Sequence, residues 1–246
     1  MTEASGNDMS QSDLLHHYSQ QFNQELEEIR TNVLAMGGLV EQQLEEALRA
    51  LVSGDVGHGE RVVANDYQVN ALDVQIDERC TVILARRQPT ASDLRLVLVV
   101  IKTTADLERI GDEAKRVARM AIRLGTADHS RGLFLEIEHL GTLVRGMLNK
   151  ALDTYARMDV AAALEVAKED QRIDREYENV MRQAITYMME DPRSIPFVLD
   201  IIWSARALER IGDRCRNIAE YVIYFVKGKD VRHTNLDQIE EELIRR

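Results

Sequence analysis

Apolar side chains recur every three or four residues along most of the chain, a spacing typical of amphipathic helices packed side by side. Two such stripes occupy equivalent places early in each half of the sequence. They are Phe22, Leu26, Ile29, Val33, Met36 and Val40, and then Leu133, Ile137, Leu140, Val144, Met147, Ala151 and Tyr155. No segment shows the strict alternation of a half-buried strand. The pattern therefore predicts an all-helical fold.

Breaks in the apolar pattern indicate three long helices in each half. Two of the breaks contain a proline, at residues 88–90 and 191–193, where a helix cannot continue unchanged. The second and third helices of the two halves are expected over 58–87, 92–124, 159–190 and 194–228. Asp159 is a suitable N-cap, and Gly125 and Gly228 are suitable residues to end helices.

The sequence contains an internal repeat. Residues 107–112 have the sequence Leu-Glu-Arg-Ile-Gly-Asp, and the same six residues return at 208–213, 101 positions later. A weaker pair lies upstream, where residues 66–70 resemble residues 170–174. A unit of about 100 residues is a normal size for a domain. The chain is therefore expected to contain one ancestral unit twice.

The repeat gives the domain plan. The expected fold is all-α, with two tandem three-helix bundles packed antiparallel, the first over 14–126 and the second over 131–228. The polar segment 1–13 is expected to be disordered. The pattern assigns no role to the charged tail 229–246.

Charge and cysteine content narrow the function classes. The net charge of −11 disfavours nucleic-acid binding and adsorption to an anionic membrane, and it leaves proteins and cations as natural partners. Cys80 and Cys215 belong to no CxxC motif and are expected to be buried and free, which fits a reducing cytosol. The apolar segment 94–101, which is interrupted by Arg95, is too short to span a bilayer, so a cytoplasmic protein is expected.

The repeated hexapeptide places paired acids on one helix face. Glu108 and Asp112 are four residues apart and border the apolar stripe, and Glu209 and Asp213 repeat the arrangement. Like charges at this spacing repel one another, and partial burial increases the cost. A bound cation would relieve both effects, and divalent metals accept carboxylate oxygens well.

The second helices contribute further acids. They form one stripe in each half, Asp66, Asn70, Asp73 and Asp77 in the first and Asp170, Asp174 and Glu178 in the second. If the second and third helices are neighbours, the acids of the two helices face each other and could hold more than one metal ion. The glycine inside each hexapeptide costs about 1 kcal/mol relative to alanine, which indicates close approach of a neighbouring helix or of a ligand.

Two alternatives stay open at this point. An isolated acid pair is usually a solvated surface feature, so a metal-free helical scaffold is one of them. The other is a carboxylate-bridged di-metal enzyme, suggested by Glu136 and His139 at ligand spacing. Such bundles need two motifs of this kind, and the sequence has one. No nucleotide-binding or hydrolase motif is present, and no catalytic or cofactor-binding residue other than the metal ligands is assigned.

The duplicated hexapeptide, with Asp106 before the first copy and Lys115-Arg-Val-Ala118 after it, resembles the signature of the PhoU family. The resemblance extends over residues 14–228. It implies two three-helix bundles related by pseudo-twofold symmetry, with multinuclear clusters of iron, zinc, manganese or magnesium. By position, the implied metal ligands are Glu108, Asp112, Asp66, Glu209, Asp213, Asp170 and Asp174. Asn70 replaces an expected acid, which puts full occupancy of the first site in doubt.

The resemblance also implies a function. Members of the family are non-enzymatic negative regulators of phosphate uptake and of the phosphate-starvation (Pho) regulon. The implied partners are the ATPase PstB of the phosphate ABC transporter, the sensor histidine kinase PhoR, and a second copy of the chain in a homodimer. Contact with the membrane would be made only through protein partners, and no nucleic-acid partner is expected.

Overall fold

The computed structural model describes residues 11–125, 131–232, 234 and 240. Within these residues the chain forms seven α-helices, one short 3₁₀ turn at Pro192–Ser194 and no strand. The helices are α1 (Gln11–Ser53), α2 (Val56–Asn65), α3 (Tyr67–Arg87), α4 (Ala91–Leu124), α5 (Arg131–Arg157), α6 (Val160–Glu190) and α7 (Ile195–Lys227). The prediction of an all-α protein is confirmed.

Two antiparallel helices, α4 and α7, form the centre of the molecule. In the first bundle α4 packs against α1, α2 and α3, and in the second bundle α7 packs against α5 and α6. The bundles meet along α4 and α7 and, less extensively, along α1 and α5. The outer helices α3 and α6 lie beside α4 and α7, which meets the condition for acids of the second and third helices to face each other.

The apolar stripes form the core. Every stripe residue of α1 from Leu26 to Val40, and every one of α5 from Leu133 to Tyr155, is buried. Phe22, at the beginning of the first stripe, is partly buried and packs against the same core. The three-or-four-residue spacing therefore identified the inward faces of both first helices correctly.

The prediction of a single helix over 58–87 was wrong, because the structure has two helices there. The first, α2, begins at Val56 with Asp55 as its N-cap, and Asp55 accepts a hydrogen bond from the backbone N–H of Gly57. The break lies at Asp66, whose carbonyl accepts from the N–H of Val69 three residues later. The same carbonyl also accepts from the N–H of Asn70 at 3.3 Å, so the hydrogen-bond series of α3 starts at Asp66.

The predicted helix ends in the second bundle are confirmed. Asp159 caps α6 by accepting hydrogen bonds from the backbone N–H groups of Ala161 and Ala162. Gly228 ends α7 with a φ of 70°, a left-handed conformation that favours glycine, and its N–H bonds to the carbonyl of Tyr224. The N-terminal helix α1 begins at Gln11, within the segment expected to be disordered, and residues 1–10 lie outside the described residues.

The crossing of α1 and α5 shows the pseudo-twofold relation between the bundles. Leu152 of α5 packs over Gly37 of α1, and Leu48 of α1 packs over Gly141 of α5. The two glycines are 104 positions apart, as are the two leucines, and the same offset relates residues 66–70 to 170–174. The contact is therefore made twice in the same way, once on each side of the crossing.

Charged residues also join the two bundles at the α4–α7 contact. The buried carboxylate of Asp106 accepts hydrogen bonds from Arg214 at 3.2 Å and from the hydroxyl of Tyr221 at 2.9 Å. Farther along the same contact, Glu113 accepts from Arg210 at 3.0 Å. A buried charge left without a partner would be strongly destabilising, so these bonds fix the register of the two central helices.

The described part of the tail lies against the second bundle. Val231 is buried in the main core, and Glu240 pairs with Lys168 of α6 at 2.7 Å. None of the described helices is long and apolar enough to cross a membrane.

The α1–α5 crossing can be tested with two glycine-to-alanine substitutions on one helix. Gly146→Ala meets no atom within 4 Å, so it should raise the free energy of unfolding by up to about 1 kcal/mol through helix propensity. Gly141→Ala places its Cβ 2.4 Å from Leu48, so it should be about 1–3 kcal/mol less stable than Gly146→Ala. Urea unfolding followed by circular dichroism measures both, and equal stabilities would contradict the tight crossing.

Candidate metal centres beside the central helices

The second acid cluster lies between α6 and α7. Glu209 and Asp213 extend from α7, and each interacts electrostatically with Asp174 of α6. Burial raises the pKa of Glu209, and the charge of Asp213 raises it further. The pKa of Asp213 is also raised, first by burial and then by Asp174. These carboxylates are therefore close enough to interact, although Asp174 and Asp213 remain exposed to solvent.

Asp170 is the buried member of this cluster. Burial raises its pKa from 3.8 to about 6, although Arg216 donates a hydrogen bond to Oδ2 at 3.2 Å and so opposes the shift. The neighbouring charges of Asp174 and Asp213 raise the pKa further. The single guanidinium of Arg216 is also shared with Glu220, to which it donates at 2.9 Å. One positive charge therefore serves two buried acids.

Two carboxylate oxygens of the second cluster are buried without a hydrogen-bond donor. They are Oδ1 of Asp170 and Oε2 of Glu209, although the other oxygen of Glu209 accepts from Arg206 at 2.6 Å. An unsatisfied buried acceptor is costly and is rare in folded proteins. The two acids also interact electrostatically with each other. The pair thus offers two hard oxygen donors, one from α6 and one from α7.

The first acid cluster lies between α3 and α4. Burial raises the pKa of Glu108, and the charges of Asp112, Asp73 and Asp66 raise it further. Acids of the second and third helices are therefore near one another in both bundles. Asp73 belongs to this cluster electrostatically but was not among the residues assigned as ligands.

The first cluster is better neutralised than the second. Lys115 donates to the buried carboxylate of Asp66 at 2.6 Å and lies 3.7 Å from Asp112, which is mostly exposed. Asn70 donates to the same Asp66 oxygen at 3.4 Å, where an acid would have added negative charge. No oxygen of the three predicted first-site ligands is buried without a partner.

The basic residues that pair with the buried acids were not predicted from the sequence. Lys115 binds Asp66 and Arg216 binds Asp170. The two bases are 101 positions apart, the same offset that relates the two hexapeptides, so the repeat carried a signal for them. Arg206, which pairs with Glu209, has no basic counterpart 101 positions earlier, where the sequence has Ala105.

The glycines inside the hexapeptides are explained by helix packing. A Cβ added to Gly111 would lie 3.1 Å from Oε1 of Gln43, and one added to Gly212 would lie 3.1 Å from Ile173. Of the two explanations offered by the sequence, close approach of a neighbouring helix is the one the structure supports. Val69 contacts Gly111 as Ile173 contacts Gly212, so the packing also repeats.

The carboxylates of the two acid clusters meet the requirements of a metal ion only in part. Over residues 11–125, 131–232, 234 and 240, no three histidine, cysteine or acidic side chains are already placed to hold one ion. The second cluster nevertheless has two unpartnered buried carboxylate oxygens, which suit a hard or borderline divalent cation. The first cluster, in which Lys115 occupies the space between acids, offers no such atom at its predicted ligands.

The histidine and cysteine side chains of the described residues offer no activated metal ligand. Cys215 is close enough to Asp170 for the two groups to interact, but burial raises the pKa of its thiol. His139 is exposed on α5. Cys80 and Cys215 are buried and free, and burial raises the pKa of Cys80 to about 12, so neither thiol resembles an activated ligand. Any metal bound at these grooves would be coordinated mainly by oxygen.

The duplicated arrangement corresponds to a domain found in known proteins. The PhoU domain matches the chain twice, at residues 33–121 and 137–222. The chain belongs to the PhoU family. Its members include the phosphate-specific transport system accessory protein PhoU homolog of Pseudomonas aeruginosa, which is 52% identical over 96% of this chain and 97% of its own length. The accessory protein PhoU of Escherichia coli strain K12 is 49% identical over 96% and 97%.

Solved PhoU structures have the same fold. The crystal structure of PhoU from Pseudomonas aeruginosa has a TM-score of 0.82 and 53% sequence identity, and the match covers 85% of this chain and 100% of that one. The phosphate transport system regulatory protein PhoU from Streptococcus pneumoniae has a TM-score of 0.79 at 30% identity, over 85% and 99% of the two chains. The resemblance seen in the repeated hexapeptide is confirmed.

The raised pKa of Asp170 predicts a pH-dependent stability in metal-free protein. Because the folded state binds this proton more tightly than the unfolded chain does, the contribution of Asp170 is largest below its ordinary pKa of 3.8 and is lost as pH rises through about 6. The free energy of unfolding should therefore decrease between pH 5 and pH 7.5. Asp170→Asn should flatten this slope, as measured by urea unfolding in the presence of a chelator.

A matched control is Asp153→Asn, which removes an exposed carboxylate of α5 that pairs with Arg157. This variant should keep the wild-type slope. An unchanged slope in Asp170→Asn would mean that Asp170 is ionised at little cost in the folded protein.

Proposed function

We propose that this protein is a negative regulator of phosphate uptake and of the phosphate-starvation regulon. In this proposal it acts in the cytoplasm as a non-enzymatic adaptor between the ATPase PstB of the phosphate transporter and the sensor kinase PhoR. When phosphate is plentiful, it holds the kinase in its non-activating state and restrains transport.

The similarity to the Pseudomonas aeruginosa relative supports this proposal most strongly. That relative is named an accessory protein of the phosphate-specific transport system, and the identity of 52% extends over almost the whole of both chains. Both hexapeptides and both bundles fall within the matched region. A shared role is therefore better supported than a shared fold alone.

The architecture suits an adaptor. Helices of 27 to 34 residues on both sides of the central contact give long, rigid surfaces on which two partners can be held in fixed relation. At about 1.5 Å per residue, the 34-residue α4 is about 50 Å long. The buried ion pairs between α4 and α7 oppose relative sliding of the two bundles.

We further propose that the second cluster binds metal ions through Glu209, Asp213, Asp170 and Asp174. The buried oxygens without donors, on Asp170 and Glu209, support this assignment. Glu108, Asp112 and Asp66 would form a weaker first site, because Lys115 already neutralises Asp66. A metal there would be iron, zinc, manganese or magnesium, and it would neutralise the acids and fasten the second helix of a bundle to the third.

Gene deletion tests the regulatory function. In phosphate-rich medium the deletion strain should express alkaline phosphatase constitutively, because the kinase is no longer held in its non-activating state. A plasmid copy of the gene should restore repression. Phosphatase that remains repressed in the deletion strain would contradict the proposed function.

Metal analysis of the purified protein tests the sites separately. Elemental analysis should find bound metal in wild type and a loss of at least half of it in the variant Glu209→Gln/Asp213→Asn. The matched control Glu165→Gln/Asp153→Asn changes exposed acids of α6 and α5 and should keep the wild-type content. Equal metal content in all three proteins would remove the second cluster as a metal site.

A further inference from the structure

The single tryptophan of the chain is exposed. Trp203 lies on the outer face of α7 with 53% of its surface accessible. Leu199 and Ile195, one and two turns earlier on the same face, are also exposed large apolar residues. The three positions follow each other at intervals of four, so they form one apolar stripe about 12 Å long. Contiguous exposed apolar residues, unlike single ones, are a feature of surfaces that contact another molecule.

Arginines of α4 and α7 surround this stripe. Because the two helices are antiparallel, Arg123 of α4 reaches Asp200 of α7, and Arg210 of α7 reaches Glu113 of α4. Trp203 lies between these two contacts along α7. Arg206 follows Trp203 by three residues, and Arg119 lies on the exposed face of α4, four residues before Arg123. We call this area the Trp203 face. It consists of Ile195, Leu199, Trp203 and the arginines at 116, 119, 123, 206 and 210.

The ion pairs of the Trp203 face present positive charge to the solvent. In each pair the carboxylate is the more buried partner. Side-chain exposure is 57% for Arg123 against 19% for Asp200, and 42% for Arg210 against 11% for Glu113. Arg206 at 45% pairs with Glu209 at 12%. Arg116 is 44% exposed and shares Glu113, and Arg119 has no ion-pair partner among the described residues.

The outward charge of this face is opposite to that of the whole chain. The chain has a net charge of −11, yet its exposed tryptophan is bordered by exposed guanidinium groups. Tryptophan and arginine are the residues that most often dominate protein–protein binding energy. A partner that matches this surface would present acidic side chains around an apolar pocket able to receive an indole ring.

Two other occupants fit less well. A second copy docked by the same face would place guanidinium groups of one copy against those of the other, since a twofold contact uses the same patch on both chains. The homodimer expected for the family would therefore use another face. An anionic lipid surface would attract the arginines, but it would repel a chain with a net charge of −11.

We propose that the Trp203 face is a docking surface for an acidic protein partner, with Trp203 as its apolar anchor and the arginines of α4 and α7 as its charged rim. This inference rests on the proposed adaptor function, because an adaptor must present a face to each protein it connects. It specifies the face and the chemistry of the partner, neither of which follows from the family similarity.

Photo-crosslinking in living cells tests the proposal with the full chain. The photoreactive residue p-benzoylphenylalanine replaces Trp203 in one strain, and in the control strain it replaces Leu135, an exposed apolar residue of α5. Irradiation should give a protein adduct at 203 and at most a tenth of that yield at 135. Mass spectrometry of the crosslinked peptide should identify a partner segment rich in aspartate and glutamate.

Charge variants test the arginine rim in the same experiment. Arg119→Glu, added to the strain with the probe at 203, should reduce the adduct at least tenfold, whereas Arg119→Lys should keep most of it. Arg86→Glu, which reverses an exposed charge at the end of α3, is the matched control and should leave the yield unchanged. Circular dichroism of the purified variants checks that all of them fold.

Several results would overturn the proposal. They are the absence of an adduct specific to position 203, an adduct with a second copy of the chain or with lipid, a crosslinked peptide without excess acids, and a yield insensitive to Arg119→Glu. Phosphatase expression in the deletion strain is read separately. If an acidic adduct forms although deletion leaves phosphatase repressed, the regulatory function fails and the docking surface stands. If deletion derepresses phosphatase but no specific adduct forms, the docking surface alone fails.

Discussion

A carboxylate buried between two helices needs a positive charge, and the structure of this protein depends on how that requirement is met. Asp66 and Asp170 are held by Lys115 and Arg216, and Asp106 is held by Arg214 and Tyr221. Each of these bonds crosses from one helix to its neighbour. Hydrophobic burial provides most of the driving force for packing, but the hydrophobic effect itself is non-directional. The ion pairs supply information about register, because a shift by one turn would leave a charge buried and unpaired.

The two acid clusters share a plan but differ in charge balance. In the first, Lys115 stands between Asp66 and Asp112, and Asn70 takes the place of an acid. In the second, Arg216 is divided between Asp170 and Glu220, and two buried oxygens have no donor. The second cluster is therefore the one in which a cation would bring the larger gain. Two sites that look equivalent in the repeated sequence are thus expected to differ in affinity, and metal binding would act more on the α6–α7 pair than on the α3–α4 pair.

Much of this arrangement could be predicted from the sequence, because it depends on periodicity and repetition. Local geometry produces the apolar stripes of α1 and α5 and the N-cap at Asp159, and repetition produces the offset of 101 residues. Features that depend on how helices rotate against one another could not be predicted in this way. The contact of Tyr221 with Asp106 joins residues 115 positions apart and has no counterpart in the repeat. The break at Asp66 also escaped prediction, since its backbone keeps helical angles. The exposure of Trp203 became evident only when the packed faces of α7 were known.

The mutual packing of Leu48 on Gly141 and Leu152 on Gly37 has an evolutionary consequence. A contact made twice about a twofold axis is the contact that two identical chains would make, so a half-length ancestor had the geometry to build this molecule as a symmetric pair. Fusion of the two copies removed the dependence of assembly on concentration and released each half from the requirement to match the other. Gln43 and Met147, which stand at equivalent positions 104 residues apart, show one result: a buried amide in one half and a fully apolar side chain in the other. Joining the halves thus allowed equivalent positions to acquire side chains of different chemistry.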